Sequence, residues 1–313
     1  MIAGITQSSA ATSATVGLIA GVELGGTQCR LILGTCAEDV RAEHSVPTRD
    51  PAATLGEIGA ILDAWRTVHG RPAAIGLASF GPIELRRDSP RYGRIGATPK
   101  PGWANVDVSE FFLRRFALPV HLETDVTGAA LAEARWGDAR GLADIAYVTV
   151  GTGVGVGLVV NGAPLLACHH PELGHARIVR LRGDLWPGIC GYHGDCIEGL
   201  ASGPAIEARC GAPPASLPRD SPVWDGVVHA LAQLAHLIVV SVAPQRILLG
   251  GGVLSGQPHL LPRIRRALVA SLNGYLALEE LGPGLDRYLV PAGLGARAGV
   301  LGALAVGAGR PRR

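Results

Sequence analysis

One pattern used twice constrains this chain more than any other feature. Residues 18–24 form a short apolar run, Gly25, Gly26 and Thr27 follow, and residues 28–33 make a second apolar run. Far downstream the pattern returns as residues 145–150, then Gly151, Thr152 and Gly153, then residues 154–160. Each unit reads as a β-hairpin around a glycine-rich turn. Two such units in opposite halves suggest a duplication, each opening one lobe. Between and after them the periodicity alternates. Helices are expected at 55–69, 108–116, 125–136 (closed by Gly137), 227–242, 262–276 and 297–306, and strands at 73–79, 119–123, 246–249 and 288–290. Alternation of this kind is α/β, and 313 residues suit two compact lobes.

Composition narrows the partners. Nearly half the chain is apolar but only 4% is aromatic, so the core must come from Ala, Val, Leu and Ile. Forty-four glycines are twice the usual share of about 7%, which suggests turns and close backbone approaches to a ligand. The net charge is +2, and no Lys/Arg cluster is interleaved with aromatics, so a nucleic-acid partner is not expected. Residues 1–16 are small and polar, and read as a disordered extension rather than a secretory signal. The basic tail, residues 310–313, reads as a frayed end. No 18-residue apolar run is free of Gly and charge, so no membrane partner and a cytoplasmic location are expected. Six unevenly spaced cysteines in a chain this long favour a metal site over a disulfide scaffold. Cys29, Cys36, Cys168 and Cys210 read as small core residues.

The glycine turns carry the first chemical signal. A Gly-Gly-Thr turn after a buried strand leaves backbone N–H groups free to cradle phosphate oxygens, and Thr adds a hydroxyl donor. Gly25, Gly26 and Thr27 alone could be an ordinary tight turn; the matching Gly151, Thr152 and Gly153 make two facing phosphate grips the better reading. A third loop, Gly250, Gly251 and Gly252, follows a strand and precedes a helix, and could take an adenosine or its α-phosphate. The stretch GTGVGVG runs into another apolar strand rather than a helix, so the context of a dinucleotide fold is missing. A Walker-type Gly-Lys-Ser/Thr is absent as well.

The second signal is His175 followed by Cys190, His193 and Cys196. Two Cys and two His at such spacings can close a tetrahedral Zn²⁺ site, and four protein ligands would make it structural. On spacing alone His169 or His170 could replace His175.

Together these residues resemble the ROK family of sugar kinases and repressors, over nearly the whole chain. The resemblance is carried by GVELGGTQ, SFGPIEL, ATPKPGW, ETDVTGAALAE, VTVGTGVGVG, HPELGH, CGYHGDCIEGLASGPAIEAR, ILLGGGV and VPAGLGARAGVLGAL. Within the family the ATPK-GW and YHGDC-EGLASGPAI stretches look most like the zinc-containing bacterial fructokinases. No helix-turn-helix is expected before Gly21, which sets the repressor branch aside. The resemblance implies the two-lobed actin-like, ribonuclease H-like fold with a central cleft. It implies a small lobe of 17–126 plus 295–313, closed by the returning last helix, and a large lobe of 127–294. It implies ATP-dependent phosphorylation of a sugar hydroxyl, fructose to fructose 6-phosphate, with another hexose, an amino sugar, a cyclitol, or a non-catalytic sugar sensor as alternatives. It makes Asp125 the catalytic base, although an Asp there would also suit a helix N-cap. It places Gly81, Pro82, Thr124, Glu172, His175 and Glu198 against the substrate and adds Gly203 to the nucleotide site. It implies Mg²⁺ bridging the ATP phosphates, and a homodimer. Four positions depart from the family pattern: Gln28 where Lys is usual, Thr127 where Asn is usual, Gly128 in place of Ala, and Glu84 where Asp or Asn is common.

Overall fold

The computed structural model describes residues 17–276 and 284–309. The expected extension at 1–16 and the basic tail at 310–313 lie outside the described residues. In the first half the elements are β1 (Ile19–Leu24), β2 (Gln28–Gly34), β3 (Val40–Pro47), α1 (Pro51–His69), β4 (Ala74–Ser79), α2 (Val108–Phe116), β5 (Val120–Thr124) and α3 (Asp125–Trp136). In the second they are β6 (Ile145–Val150), β7 (Val154–Val160), β8 (Ala163–Pro164), α4 (Ile197–Ala201), α5 (Gly203–Cys210), α6 (Val223–Val242), β9 (Arg246–Gly250), α7 (Gly252–Gly256), α8 (Leu260–Leu272), α9 (Leu285–Tyr288), β10 (Leu289–Pro291) and α10 (Ala298–Gly307).

Two five-stranded sheets form, in the orders β3-β2-β1-β4-β5 and β10-β9-β6-β7-β8. They share one plan. A central strand, β1 or β6, pairs antiparallel with its hairpin partner and parallel with a strand on its other side. The repeat in the sequence is therefore a repeat in topology. Register then decides what the motifs can do. Leu24 pairs with Ser79, and Ser79 with Thr124. The turns that follow these three strands thus leave one end of the sheet side by side. In the second sheet Thr149 pairs with Gly250, which aligns the turns after β6 and β9 in the same way. The carboxyl ends of parallel strands are where α/β sheets bind ligands.

Small residues hold the halves together. Helix α10 packs on α3 and also lies against β1 and β4 of the first sheet. It is built from Ala, Gly, Val and Leu, and nearly all of it is buried. Where it crosses α3, a Cβ on Gly302 would stand 2.5 Å from the Gly128 carbonyl carbon and 2.7 Å from Ala129 N. The lost Cβ at this crossing is what lets the two backbones approach. The second core is aliphatic around α6 and α8, with Trp224 and Tyr288 buried in it.

Four expectations change. Strand β3 was not expected: it is an edge strand with mostly exposed residues, so its apolar alternation is faint. Helix α6 begins at Val223 rather than 227. Helix α8 stops at Leu272 rather than 276, because Asn273 turns left-handed with φ of 49° and its N–H bonds back to Val269. Of the four cysteines expected in the core, only Cys29 is buried; Cys36 is half-buried, and Cys168 and Cys210 are exposed on loop and helix-end surfaces. Helix α6 is long and apolar enough to cross a membrane, yet half of it is buried inside the protein, against α4 and α8.

Gly302→Ala should lower stability by about 2 kcal/mol, because the clash is with backbone and exceeds the gain in helix propensity. Gly56→Ala in α1, where a Cβ meets nothing within 4 Å, should raise it by about 0.5–1 kcal/mol. Chemical denaturation midpoints of the two variants check both signs.

Candidate active site

Asp125 stands at the carboxyl end of β5. The N-cap of α3 is its neighbour Thr124, whose Oγ1 accepts the Thr127 N–H at 3.1 Å and lies 2.8 Å from Thr127 Oγ1. This corrects the N-cap alternative for Asp125, which is the first residue inside the helix. It also places the Thr124 side chain, expected at the substrate, in a buried cap. Thr127 likewise completes the cap. Asp125 Oδ1 accepts the adjacent Val126 N–H at 2.8 Å. Burial, then the nearby Glu23 carboxylate, push the Asp125 carboxyl up to about 7; the Val126 N–H opposes them, and Glu172 adds a smaller push.

Glu23 is a site residue that the sequence reading passed over. It is a lone carboxylate in the apolar strand β1, directly before Leu24 and the Gly-Gly-Thr turn, and that placement was the available signal. Burial pushes its carboxyl up, Arg30 pulls it down, and its Oε2 has no hydrogen-bond partner among the described residues. A Cβ on Gly299, in α10, would overlap the Glu23 carboxylate. Glu23 and Glu172 act on Asp125, and Glu198 acts on Glu172, so the four carboxylates form one line of electrostatic neighbours. Glu198 closes it at the second sheet, where its Oε2 accepts the Val154 N–H at 3.1 Å just past Gly153.

The expected substrate wall is assembled from both halves. Gly81 and Pro82, joined by a cis peptide, leave β4. A Cβ on Gly81 would stand 3.2 Å from Glu172 Oε1. His175 Nε2 lies 3.9 Å from Glu198 Oε1. Glu84 is engaged by Arg86: its two oxygens bind the Arg86 guanidinium at 3.1 and 2.8 Å, and that pairing holds its carboxyl down to about 2.

The glycine turns gather as well. Gly151 O accepts the Gly203 N–H at 2.7 Å, which seats the start of α5 on the second turn. An added Cβ on Gly151 would be 3.9 Å from Gly252 N, so the second and third turns adjoin. Gly251 has φ of 90°, and any side chain there would overlap the Val150 backbone. Gly250 is buried, whereas Gly252 and Thr152 are exposed. At the first turn, Gly25 and Gly26 are half-buried and Thr27 is exposed. Gln28 is exposed in the position after it. The cation at this turn comes from elsewhere. Lys100, in the ATPKPGW stretch, reaches across so that its Cε lies 3.2 Å from where a Gly26 Cβ would sit. Its ammonium is 5.7 Å from the Phe80 ring centroid, and burial lowers its pKa.

His175, Cys190, His193 and Cys196 converge, with one ligand atom from each all within 4.8 Å of one another. His175 Nδ1 lies 3.6 and 3.7 Å from the two sulfurs, and His193 Nδ1 lies 3.7 Å from Cys190 Sγ. Zn–S bonds of about 2.3 Å and Zn–N bonds of about 2.05 Å at a tetrahedral angle give S···N edges of about 3.6 Å. The residues fit zinc. Among the rival ligands, His170 is engaged elsewhere, its Nε2 accepting the Ile83 N–H at 3.1 Å, and His169 Nδ1 contacts His170 O.

A family model described as ROK matches residues 19–309. The chain belongs to the ROK family. It is 40% identical to a fructokinase of Pediococcus pentosaceus, over 92% of this chain and 96% of that one. It is 38% identical to a fructokinase of Zymomonas mobilis, over 91% and 94%. Among solved structures, the ROK hexokinase of Thermus thermophilus superposes with a TM-score of 0.74 at 28% identity, over 93% of this chain and 97% of that one. The fold is accordingly the actin-like, ribonuclease H-like sugar kinase fold of that family.

The raised pKa of Asp125 has a definite sign. A base acts deprotonated, so kcat/KM should climb as pH rises through about 7 and level off above it. Glu23→Gln removes a negative neighbour, and should move that limb to lower pH whatever it does to the maximal rate. The metal cluster should yield about one zinc per chain by elemental analysis, and Cys196→Ser should reduce both metal content and thermal midpoint.

Proposed function

We propose that this protein is an ATP-dependent fructokinase, transferring the γ-phosphoryl group of ATP to the C6 hydroxyl of fructose. The observation that carries the reading is the line of carboxylates. It begins beside one glycine turn, ends beside the other, and has Asp125 near its middle with a pKa suited to proton abstraction at neutral pH. The names of the fructokinases it resembles over most of its length supply the acceptor.

In this reading the cleft lies between a lobe of 17–126 plus the returning 295–313 and a lobe of 127–294. The packing of α10 on the first sheet supports that division. Gly25, Gly26 and Thr27 grip the terminal phosphates from one side, and Gly151, Thr152 and Gly153 from the other. Gly203 and the loop Gly250, Gly251 and Gly252 receive the rest of the nucleotide. Lys100 brings positive charge to the first turn, which answers the exposed Gln28. Glu172, His175 and Glu198 accept or donate hydrogen bonds to the sugar hydroxyls, and Gly81 and Pro82 shape the opposite wall. Asp125 accepts the proton as the sugar oxygen bonds to the γ-phosphorus and the bond to the β-γ bridging oxygen breaks, releasing ADP. Glu23 is the carboxylate suited to hold a hydrated Mg²⁺, which would supply charge neutralisation at the phosphates. His175, Cys190, His193 and Cys196 would hold zinc, which would fix the loop that carries Glu198, two residues beyond Cys196, while His175 Nε2 lies 3.9 Å from Glu198 Oε1.

Asp125→Asn should abolish ADP release with fructose while ATP binding, read by calorimetry, survives. Near-normal turnover in that variant would rule out the base. An ADP-release panel of hexoses, amino sugars and cyclitols checks the acceptor. Turnover confined to a compound other than fructose overturns the fructokinase reading.

A further inference from the structure

His170 lies at the junction between the halves and belongs to neither the metal cluster nor the glycine turns. It is only 6% exposed. Its Nε2 accepts the backbone N–H of Ile83, which directly follows Gly81 and Pro82 in the loop after β4. A neutral imidazole that accepts at Nε2 carries its proton on Nδ1. That Nδ1 lies 3.5 Å from Glu172 Oε1, a contact that is not yet a formed hydrogen bond, and the Pro171 backbone also bonds the ring. The ring is neutral: burial, reinforced by His169, holds its pKa down to about 4. Gly81 completes the contact, since a Cβ there would stand 3.2 Å from Glu172 Oε1 and 3.3 Å from His170 Cε1.

Glu172 itself is 39% exposed at its side chain, so it is open to the cleft. Among the described residues no other side chain or backbone group donates a hydrogen bond to its carboxylate. A carboxylate on a loop has free side-chain torsions, and a single N–H donor on a buried, tethered ring removes much of that freedom. Such hydrogen bonds are commonly long before the substrate arrives and tighten when it binds.

We infer that His170 is a positioning residue for sugar binding: anchored through Nε2 to the Ile83 backbone of the first half, it donates from Nδ1 to Glu172 of the second and fixes the oxygen left to meet a sugar hydroxyl. The inference rests on the reading of Glu172 as a sugar contact. It adds a dependence that the reading lacks. The sugar-facing carboxylate of one half is aimed by a backbone amide of the other, so the sugar subsite is complete only when the loop at Gly81–Pro82 is in place.

Two side chains separate the two nitrogens. Asn places its amide nitrogen near Nδ1 and can still donate to Glu172, whereas Gln places its amide near Nε2 and can only keep the Ile83 anchor. With the full-length, metal-loaded enzyme, His170→Gln should raise KM for fructose about tenfold, the scale of a hydrogen bond to a charged group. KM for ATP should stay within about twofold, since no nucleotide group depends on Glu172. His170→Asn should recover most of the fructose KM. In the double variant with Glu172→Gln the two KM effects should not add. A fructose KM unchanged in His170→Gln, or additive effects in the double variant, would overturn the positioning role while leaving the kinase reading intact. If Glu172→Gln alone leaves the fructose KM unchanged, the assignment of Glu172 fails, and the role of His170 fails with it. If His170→Gln does not fold, a fructose KM in His170→Asn raised as far as in Glu172→Gln overturns the inference.

Discussion

Backbone pairing between β1, β4 and β5 sets Leu24, Ser79 and Thr124 in one row across the first sheet, and the site depends on that row. It brings the Gly-Gly-Thr turn, the Gly81–Pro82 loop and Asp125 to the same edge although a hundred residues separate the first from the last. A slip of one residue in either pairing would turn Glu23 or Thr124 to the opposite face. Parallel strands buried on both faces resist such a slip, because every side chain has a packed position to lose.

The second sheet repeats the arrangement, and the crossing of α3 with α10 joins the two. That crossing works through the glycine pair Gly128 and Gly302, where a methyl group on Gly302 would meet the Gly128 and Ala129 backbone rather than a yielding side chain. The same helix α3 that carries Asp125 at its first residue is thereby held against the helix that returns to the first sheet. Gly128, one of the departures from the family pattern, lies at this packing point rather than in the cleft.

Electrostatics give the site its cost and its use. Glu23 and Glu172 act on the half-buried Asp125, and Glu198 acts on Glu172, and such repulsion raises carboxyl pKa values. Negative charge crowded in this way suits a site that receives cations and hydroxyl donors. Lys100 and the zinc-fitting cluster are arranged at opposite ends of that line, one beside the first glycine turn and one beside Glu198.

Much of the fold was readable from local patterns. The two Gly-Thr hairpins, the helix opening at Asp125 and closing at Gly137, and the α/β alternation all follow from periodicity and from residues with strong turn preferences. Strand β3 was hidden because an exposed edge strand has little apolar alternation to display. The metal ligands were legible as a spacing pattern, but the choice of His175 over His169 and His170 required three-dimensional distances. Glu23 and Lys100 were missed because each is a single residue whose meaning comes from what distant segments place beside it. Strands, helices and glycine turns depend on neighbours within a few residues, and local sequence was enough to specify them. Which carboxylates meet, which nitrogen of His170 lies beside Glu172, and where the cation at the first turn comes from emerge only on folding, because those distances are set by strand register and helix crossing between residues far apart in the chain.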